Sequence, residues 1–128
     1  MTGGWALPAS ARREKRLLEA RGITTWAALA VLSDGQLQDL ALAGASSVTL
    51  QRLRGQARLV QEVGLEPPEA ALLLHAGIPD SRSLARADPE QLWQQTGRLQ
   101  RRLTGERVPA PDRAMLQRWI SRARRAAN

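Results

Sequence analysis

Apolar residues in the first half of the chain recur every three or four positions, which is the spacing of one face of a helix. Residues 9–21 predict a first helix that turns Leu17 and Leu18 inward. Gly22 follows at the position where a left-handed cap commonly ends a helix. No segment alternates apolar and polar residues with β-branched enrichment, so the pattern predicts an all-α fold.

Serine residues mark the starts of two further helices. Ser33 and Gln36 have the spacing of a capping box, in which each side chain bonds the backbone amide of the other residue. Ser46 or Ser47 begins a longer helix. Its buried stripe is marked by apolar residues at helical spacing, namely Leu50, Leu53, Ala57 and Val60.

The second half of the chain repeats the first. A shift of 55 residues gives nine identities within the 24 aligned positions 14–37, and it superimposes Gly22-Ile23 on Gly77-Ile78. A second match, at a shift of 66, pairs Leu50-Gln51-Arg52 with Leu116-Gln117-Arg118. The second copy therefore carries 11 extra residues. A repeat of this length indicates one helical unit that is used twice.

These matches divide the chain into a first unit at residues 7–62 and a second unit at residues 63–126, after a flexible N-terminus at residues 1–6. We expect the two units to pack with pseudo-two-fold symmetry. The insertion falls near residues 97–111 and combines arginines with large apolar residues. Inserted segments of repeats often lie on a binding face, so we expect it to connect two helices and to dock on a partner.

Positive charge is concentrated at the C-terminal end. The net charge is +7, and residues 98–128 hold nine arginines against two acidic residues. Such a segment favours a polyanion or an acidic protein surface as partner. The alternative explanation is a GC-rich genome that encodes arginine by default.

Composition argues against several other functions. The chain has no cysteine and one histidine, His75, so we expect no metal site and a surface role for that histidine. We find no nucleophile–histidine–acid set and no glycine-rich nucleotide loop, and a core of alanine and leucine leaves little room for a large pocket. We therefore expect a non-enzymatic protein without cofactor, small-molecule substrate or membrane span, located in the cytoplasm.

The four tryptophans are scattered along the chain. We predict that Trp26 and Trp119 lie in the core and that Trp93 is partly exposed. Trp5 either folds onto the edge of the core or is an exposed anchor for a partner. Scattered tryptophans do not form the clustered platforms on which bases usually stack.

The repeated unit, with its Gly-Ile turn followed by a short helix and a capped helix, resembles the helix-hairpin-helix superfamily. Over roughly residues 7–126 the layout resembles the uncharacterised family called domain of unknown function 4332, which is common in cyanobacteria. This family is similar to the tandem helix-hairpin-helix repeats of DNA ligases, nucleases and topoisomerases. The resemblance implies that hairpin amides at a helix N-terminus hold a nucleic-acid backbone, helped by nearby lysine or arginine.

The chain departs from the superfamily pattern at the hairpins. Residues 7–11 have alanine at both glycine positions, and residues 63–67 keep one glycine beside Glu66. In the second hairpin Glu66 stands at the other glycine position, which makes this hairpin a poor phosphate site. The first hairpin is better, since four basic residues follow it, and a third candidate hairpin contains Gly44. The candidate residues for binding nucleic acid or a partner are Arg12, Arg13, Lys15, Arg16, Gly44, Arg52, Arg54, Arg98, Arg101, Arg102, Arg107, Trp5 and Trp93.

Two functions remain open. The first is a non-catalytic module that holds the nucleic-acid backbone without sequence specificity, which net charge and superfamily favour. The second is a protein-interaction or assembly factor that kept the fold and lost the phosphate-binding hairpins, which the missing glycines favour.

Overall fold

A computed structural model describes residues 7–103 and 111–127, without the side chains of residues 100–103 and 127. This part of the chain is all-α, as the sequence predicts, with a 3₁₀ turn at Ala9–Ala11 and a π-helical turn at Leu59–Val63. Its eight α-helices are α1 (Arg12–Ala20), α2 (Trp26–Ala30), α3 (Asp34–Leu42), α4 (Ser47–Arg58), α5 (Pro67–His75), α6 (Ser81–Ala85), α7 (Pro89–Leu103) and α8 (Arg113–Ala127). None of these helices has the length and apolar character that crossing a membrane requires.

The Gly-Ile turns end α1 and α5 in the same way. Gly22 and Gly77 have φ of 79° and 88°, which confirms the predicted positive φ at both positions. In each turn the amide of the following isoleucine donates to the carbonyl five residues earlier, at 2.9 Å. This is the Schellman arrangement, which satisfies carbonyl groups that the end of a helix leaves without partners.

Side-chain caps fix the starts of the helices. Ser33 and Gln36 form the predicted capping box at α3, with reciprocal hydrogen bonds of 3.1 and 2.8 Å. Ser46 caps α4 by accepting from the amide of Thr49 at 3.2 Å. At α8 the Oδ1 atom of Asp112 accepts from an amide in the first turn at 2.8 Å. Local hydrogen bonding therefore sets these boundaries where the sequence places them.

The buried residues form two clusters. The first cluster packs residues from α1 to α4 around Leu18, Leu29 and Leu50. The second packs the π-helical turn, α5 to α8 and the adjoining turns around Leu73 and Leu116. Since the π-helical turn continues α4 without a break, one helical rod contributes to both clusters.

Close backbone contact joins the two clusters. Gly55 of α4 is buried, and a Cβ atom at this position would overlap the carbonyl oxygen of Pro79. The neighbouring Gln56 is also buried and donates from Nε2 to the carbonyl of Pro67 at 2.9 Å. The α4 rod therefore packs directly against the turns that flank α5.

Helix α7 is longer than the sequence pattern predicts. It continues through Gly97 to Leu103 instead of ending before the predicted insertion at 97–111, so the first part of the insertion extends a helix. A single glycine costs only about 1 kcal/mol within a helix, which is too little to end one. The rest of the insertion, at residues 104–110, lies outside the described residues.

Candidate nucleic-acid interface

The hairpin between α3 and α4 is occupied by a carboxylate of the protein itself. Glu14 of α1 is only 4% exposed, and its Oε2 atom accepts from the amide of Ser46 at 2.7 Å. This amide belongs to the N-cap of α4, where the helix dipole favours a negative charge. Glu14 thus lies where a bound phosphate would approach the hairpin.

The remaining amides of this hairpin are also used internally. Gly44 has a φ of 117° and donates to the carbonyl of Ala41, while Ala45 donates to the carbonyl of Leu40. Arg13 of α1 extends an Nη1 atom to the carbonyl of Gly44 at 3.4 Å. Gly44 therefore has a clear role as a helix C-cap, which leaves its amide no role in holding a phosphate.

Arg54, another candidate, is held inside the fold. Its side chain is 13% exposed and donates from Nη1 to the carbonyl of Leu32 at 3.1 Å. Its Nη2 atom lies 2.8 Å from the carboxylate of Asp34. The nearby Arg58 similarly donates to the carbonyl of Ala30, the last residue of α2. Both arginines donate to carbonyl groups near the end of α2. Because its guanidinium is used in this way, Arg54 is not among the residues that we propose for binding.

The candidates on α1 differ in exposure. Arg12, Arg13 and Arg16 are exposed, whereas Lys15 is half-buried. Arg12 and Arg16 lie one helical turn apart and have no hydrogen bond or ion pair to a described residue. This helix therefore presents two cations for an external anion, and a third cation, Arg13, holds the hairpin carbonyl.

A second basic surface lies on α8. Arg118, Arg122 and Arg125 are exposed at the i, i+4 and i+7 spacing of one helix face. With Ala114, Gln117 and Ser121 they line a shallow groove of about 460 Å³. No acidic side chain is among these lining residues. Arg122 donates to the carbonyl of Val63 at 3.4 Å, which sets its position.

The sequence-based candidates did not include the arginines of α8. Their spacing was visible in the sequence, because positions 118, 122 and 125 share one face of any helix that begins at Asp112. The absence of acidic residues from the groove was visible too, because its lining belongs to α8 and residues 113–127 contain none.

Trp93 does not offer an open stacking face. It is half-buried against the second cluster, as predicted, and the guanidinium of Arg113 lies 4.0 Å from its ring centroid. Arg113 also pairs with the carboxylate of Glu90 at 2.9 Å. Trp26 and Trp119 are buried, which confirms their predicted place in the core. The three tryptophans in the described part of the chain therefore give no platform for a base.

The remaining candidates lie on or beyond α7. Arg98 is exposed and makes only a long 3.5 Å contact from Nε to the carbonyl of Gln94, within the helix. Arg101 and Arg102 belong to α7, and their side chains fall outside the described ones. Trp5 and Arg107 lie outside the described residues altogether. The insertion therefore contributes one described cation, Arg98.

Arg52 lines a cleft between α4 and α5. The cleft has a volume of about 460 Å³ and is also lined by His75 of α5 and by the turn before α1. This volume is within the range of ligand sites, which the alanine- and leucine-rich core did not predict. The described residues include no cluster of three or more histidine, cysteine or acidic side chains that could hold a metal ion.

Comparison with known proteins identifies a family for the chain. No curated protein and no solved structure matches the chain. A family model does match it over residues 8–126, which is nearly the whole sequence. The chain belongs to the family described as "Domain of unknown function (DUF4332)".

Proposed function

We propose that this protein is a non-catalytic module that binds the phosphate backbone of nucleic acid without sequence specificity. The observation that carries the proposal is the exposed face of α8, where Arg118, Arg122 and Arg125 line one groove without an acidic neighbour in its lining. Arg12 and Arg16 of α1 add a second pair of exposed cations. Each arginine that pairs with a phosphate releases condensed counterions, which drives binding.

The proposed contacts come from side chains and not from hairpin amides. Glu14 fills the place that an anion would take at α4, and the amides of Gly44 and Ala45 are bonded within the protein. Arginine is suited to binding through side chains because its planar guanidinium can donate two hydrogen bonds to the oxygens of one phosphate. Phosphate contacts position a nucleic acid and carry no sequence information directly, so we expect binding to be nonspecific.

At the level of the fold, we propose two helix-hairpin-helix-like units that are related by pseudo-two-fold symmetry. Support comes from the two Schellman turns, which occur at the same point of a repeated order of four helices. Because the candidate hairpin between α3 and α4 is closed by Glu14, this proposal assigns that hairpin a structural role. The proposed location is the cytoplasm.

Salt-dependent binding tests the function. A labelled 20-base-pair duplex is titrated with the protein by fluorescence anisotropy at several ionic strengths, for the parent and for the double variant Arg118→Gln/Arg125→Gln. Each lost phosphate contact should make the plot of log affinity against log salt concentration less steep by about 0.9. The plot for the double variant should therefore be less steep than that of the parent by about 2, and the variant should bind all duplex sequences more weakly.

The control is the double variant Arg118→Lys/Arg125→Lys, which keeps both charges on the same helix face. We expect it to retain the salt slope of the parent, because an ammonium also neutralises a phosphate. Absence of binding at low salt, or an affinity that does not change with salt, would rule out the proposed function. An unchanged slope in the glutamine variant would mean that nucleic acid binds at a surface other than α8.

A second candidate function is the capture of a protein partner, and exposed apolar residues favour it. Leu42 is 82% exposed and Val48 is 60% exposed, and the two flank the α3–α4 hairpin. A pull-down from the native host with and without nuclease separates the two functions. Stoichiometric protein partners that survive nuclease would favour this second function, whereas partners lost on nuclease treatment would favour nucleic-acid binding.

A further inference from the structure

The cleft between α4 and α5 combines an apolar wall with a rim that carries one cation, Arg52. Leu53 is buried and Leu74 is half-buried in this wall, and Pro79 lies beside them. Arg52 and His75 are exposed, and neither makes a hydrogen bond or ion pair with a described residue. No carboxylate is among the residues that line the cleft. An anionic group at the rim would therefore meet a cation and no repelling charge.

Contacts within the protein fix the shape of the cleft. Its walls come from the turn before α1, from α4 and from α5 with the turn that follows it. The backbone at Gly55 packs directly against the carbonyl of Pro79, and Gln56 bonds the carbonyl of Pro67. A cleft held in this way needs little reordering when a ligand enters, which lowers the cost of binding.

From this geometry we infer that the cleft binds a small molecule made of an apolar body and one carboxylate. The body packs on Leu74 and Pro79, and the carboxylate pairs with the guanidinium of Arg52 at the rim. His75 adds a polar ring to the lining. In ligand pockets, apolar residues hold the body of the ligand and a few polar groups fix its orientation. A fully hydrated phosphate would gain nothing from the apolar wall, and a cation would be repelled by Arg52.

The site is separate from the α8 face of the proposed nucleic-acid surface, since none of its lining residues belongs to α8. A carboxylate ligand would place a negative charge beside Arg52. This inference does not depend on the proposed function, and either could fail without the other.

Titration with indole-3-acetate, followed by ¹H–¹⁵N NMR of the full chain, tests the inference. Indole-3-ethanol has the same apolar body and no charge, and it is the matched control ligand. We expect saturable shifts at the amides of Leu74, His75 and Gly77 with indole-3-acetate and much weaker binding of the alcohol. Arg52→Gln should weaken binding of the acid by about three- to fivefold, as expected for one partly exposed ion pair.

Two variants complete the experiment. Arg82→Gln removes an exposed charge outside the cleft, and Arg118→Gln/Arg125→Gln removes the α8 cations, and both should bind indole-3-acetate like the parent. Equal binding of acid and alcohol, shifts confined to other surfaces, or an affinity that Arg52→Gln leaves unchanged would overturn the inference. Binding of a tryptophan-terminated peptide with no binding of the free acid would overturn the assignment to a small molecule.

Discussion

Glu14 occupies the candidate hairpin between α3 and α4 with a carboxylate of the protein itself. Its buried carboxylate connects α1 to the N-cap of α4 through the amide of Ser46. We predict that Glu14→Ala lowers the free energy of unfolding by about 1–3 kcal/mol, because a part-buried amide loses its partner. Glu14→Gln keeps an oxygen acceptor and should lose about half as much, since a neutral acceptor is roughly half as strong. Urea denaturation measures both changes, and equal stability of Glu14→Ala and the parent would contradict the role.

A substitution at Gly55 tests whether the α4 rod lies as close to the turn after α5 as the structure shows. A methyl group at this position would overlap the backbone carbonyl of Pro79, which no side-chain rotation can relieve. We predict that Gly55→Ala destabilises the protein by about 1–3 kcal/mol, as overpacking does. Gly35 of α3 is the matched control, because an added Cβ atom there meets only the Oγ atom of Ser33 at 3.8 Å.

The control should shift stability in the opposite direction. Gly35→Ala raises helix propensity at an exposed position and should stabilise the protein by about 0.5–1 kcal/mol. Thermal melts of the two variants under one buffer give the comparison. If Gly55→Ala melts at or above the parent, the backbone of α4 is farther from Pro79 than the structure places it.

At the scale of the elements, α1 and α5 each bury a leucine in one of the two clusters. Leu18 and Leu73 are both fully buried, and each accepts the isoleucine amide of its Schellman turn. We predict that Leu18→Ala and Leu73→Ala each cost about 2–5 kcal/mol, because each leaves a cavity. Leu42→Ala on the exposed surface of α3 should change stability by less than about 0.5 kcal/mol. Chemical denaturation compares the three, and a loss below 1 kcal/mol at Leu18 or Leu73 would contradict its place in the core.

For the whole molecule, the shared α4 rod predicts cooperative unfolding. Trp26 belongs to the first cluster and Trp119 to the second, so each can report on one cluster. Two variants that each keep one of these tryptophans, with the others changed to phenylalanine, should show fluorescence transitions at the same urea concentration. Coincident transitions are the signature of two-state unfolding. Separate midpoints would mean that the two clusters fold independently.

The sequence alone determined the helices and their ends. The caps at Ser33, Gly22 and Gly77 form hydrogen bonds with residues no more than five positions away, and such local partners are visible in the order of residues. The repeat likewise indicated that α1 and α5 bury matching leucines. The end of α7 is the exception: it was placed too early, because the insertion was expected to connect two helices and its first part extends one.

Only the tertiary structure decided which charged groups are available to a partner. Glu14 meets an amide 32 positions away, and Arg54 meets a carbonyl 22 positions away, so neither contact follows from local spacing. The cleft at Arg52 likewise needs three segments that are distant in the chain. A charge count gives the sign of a favoured partner. The packing of distant helices decides which charges are used within the fold and which remain exposed.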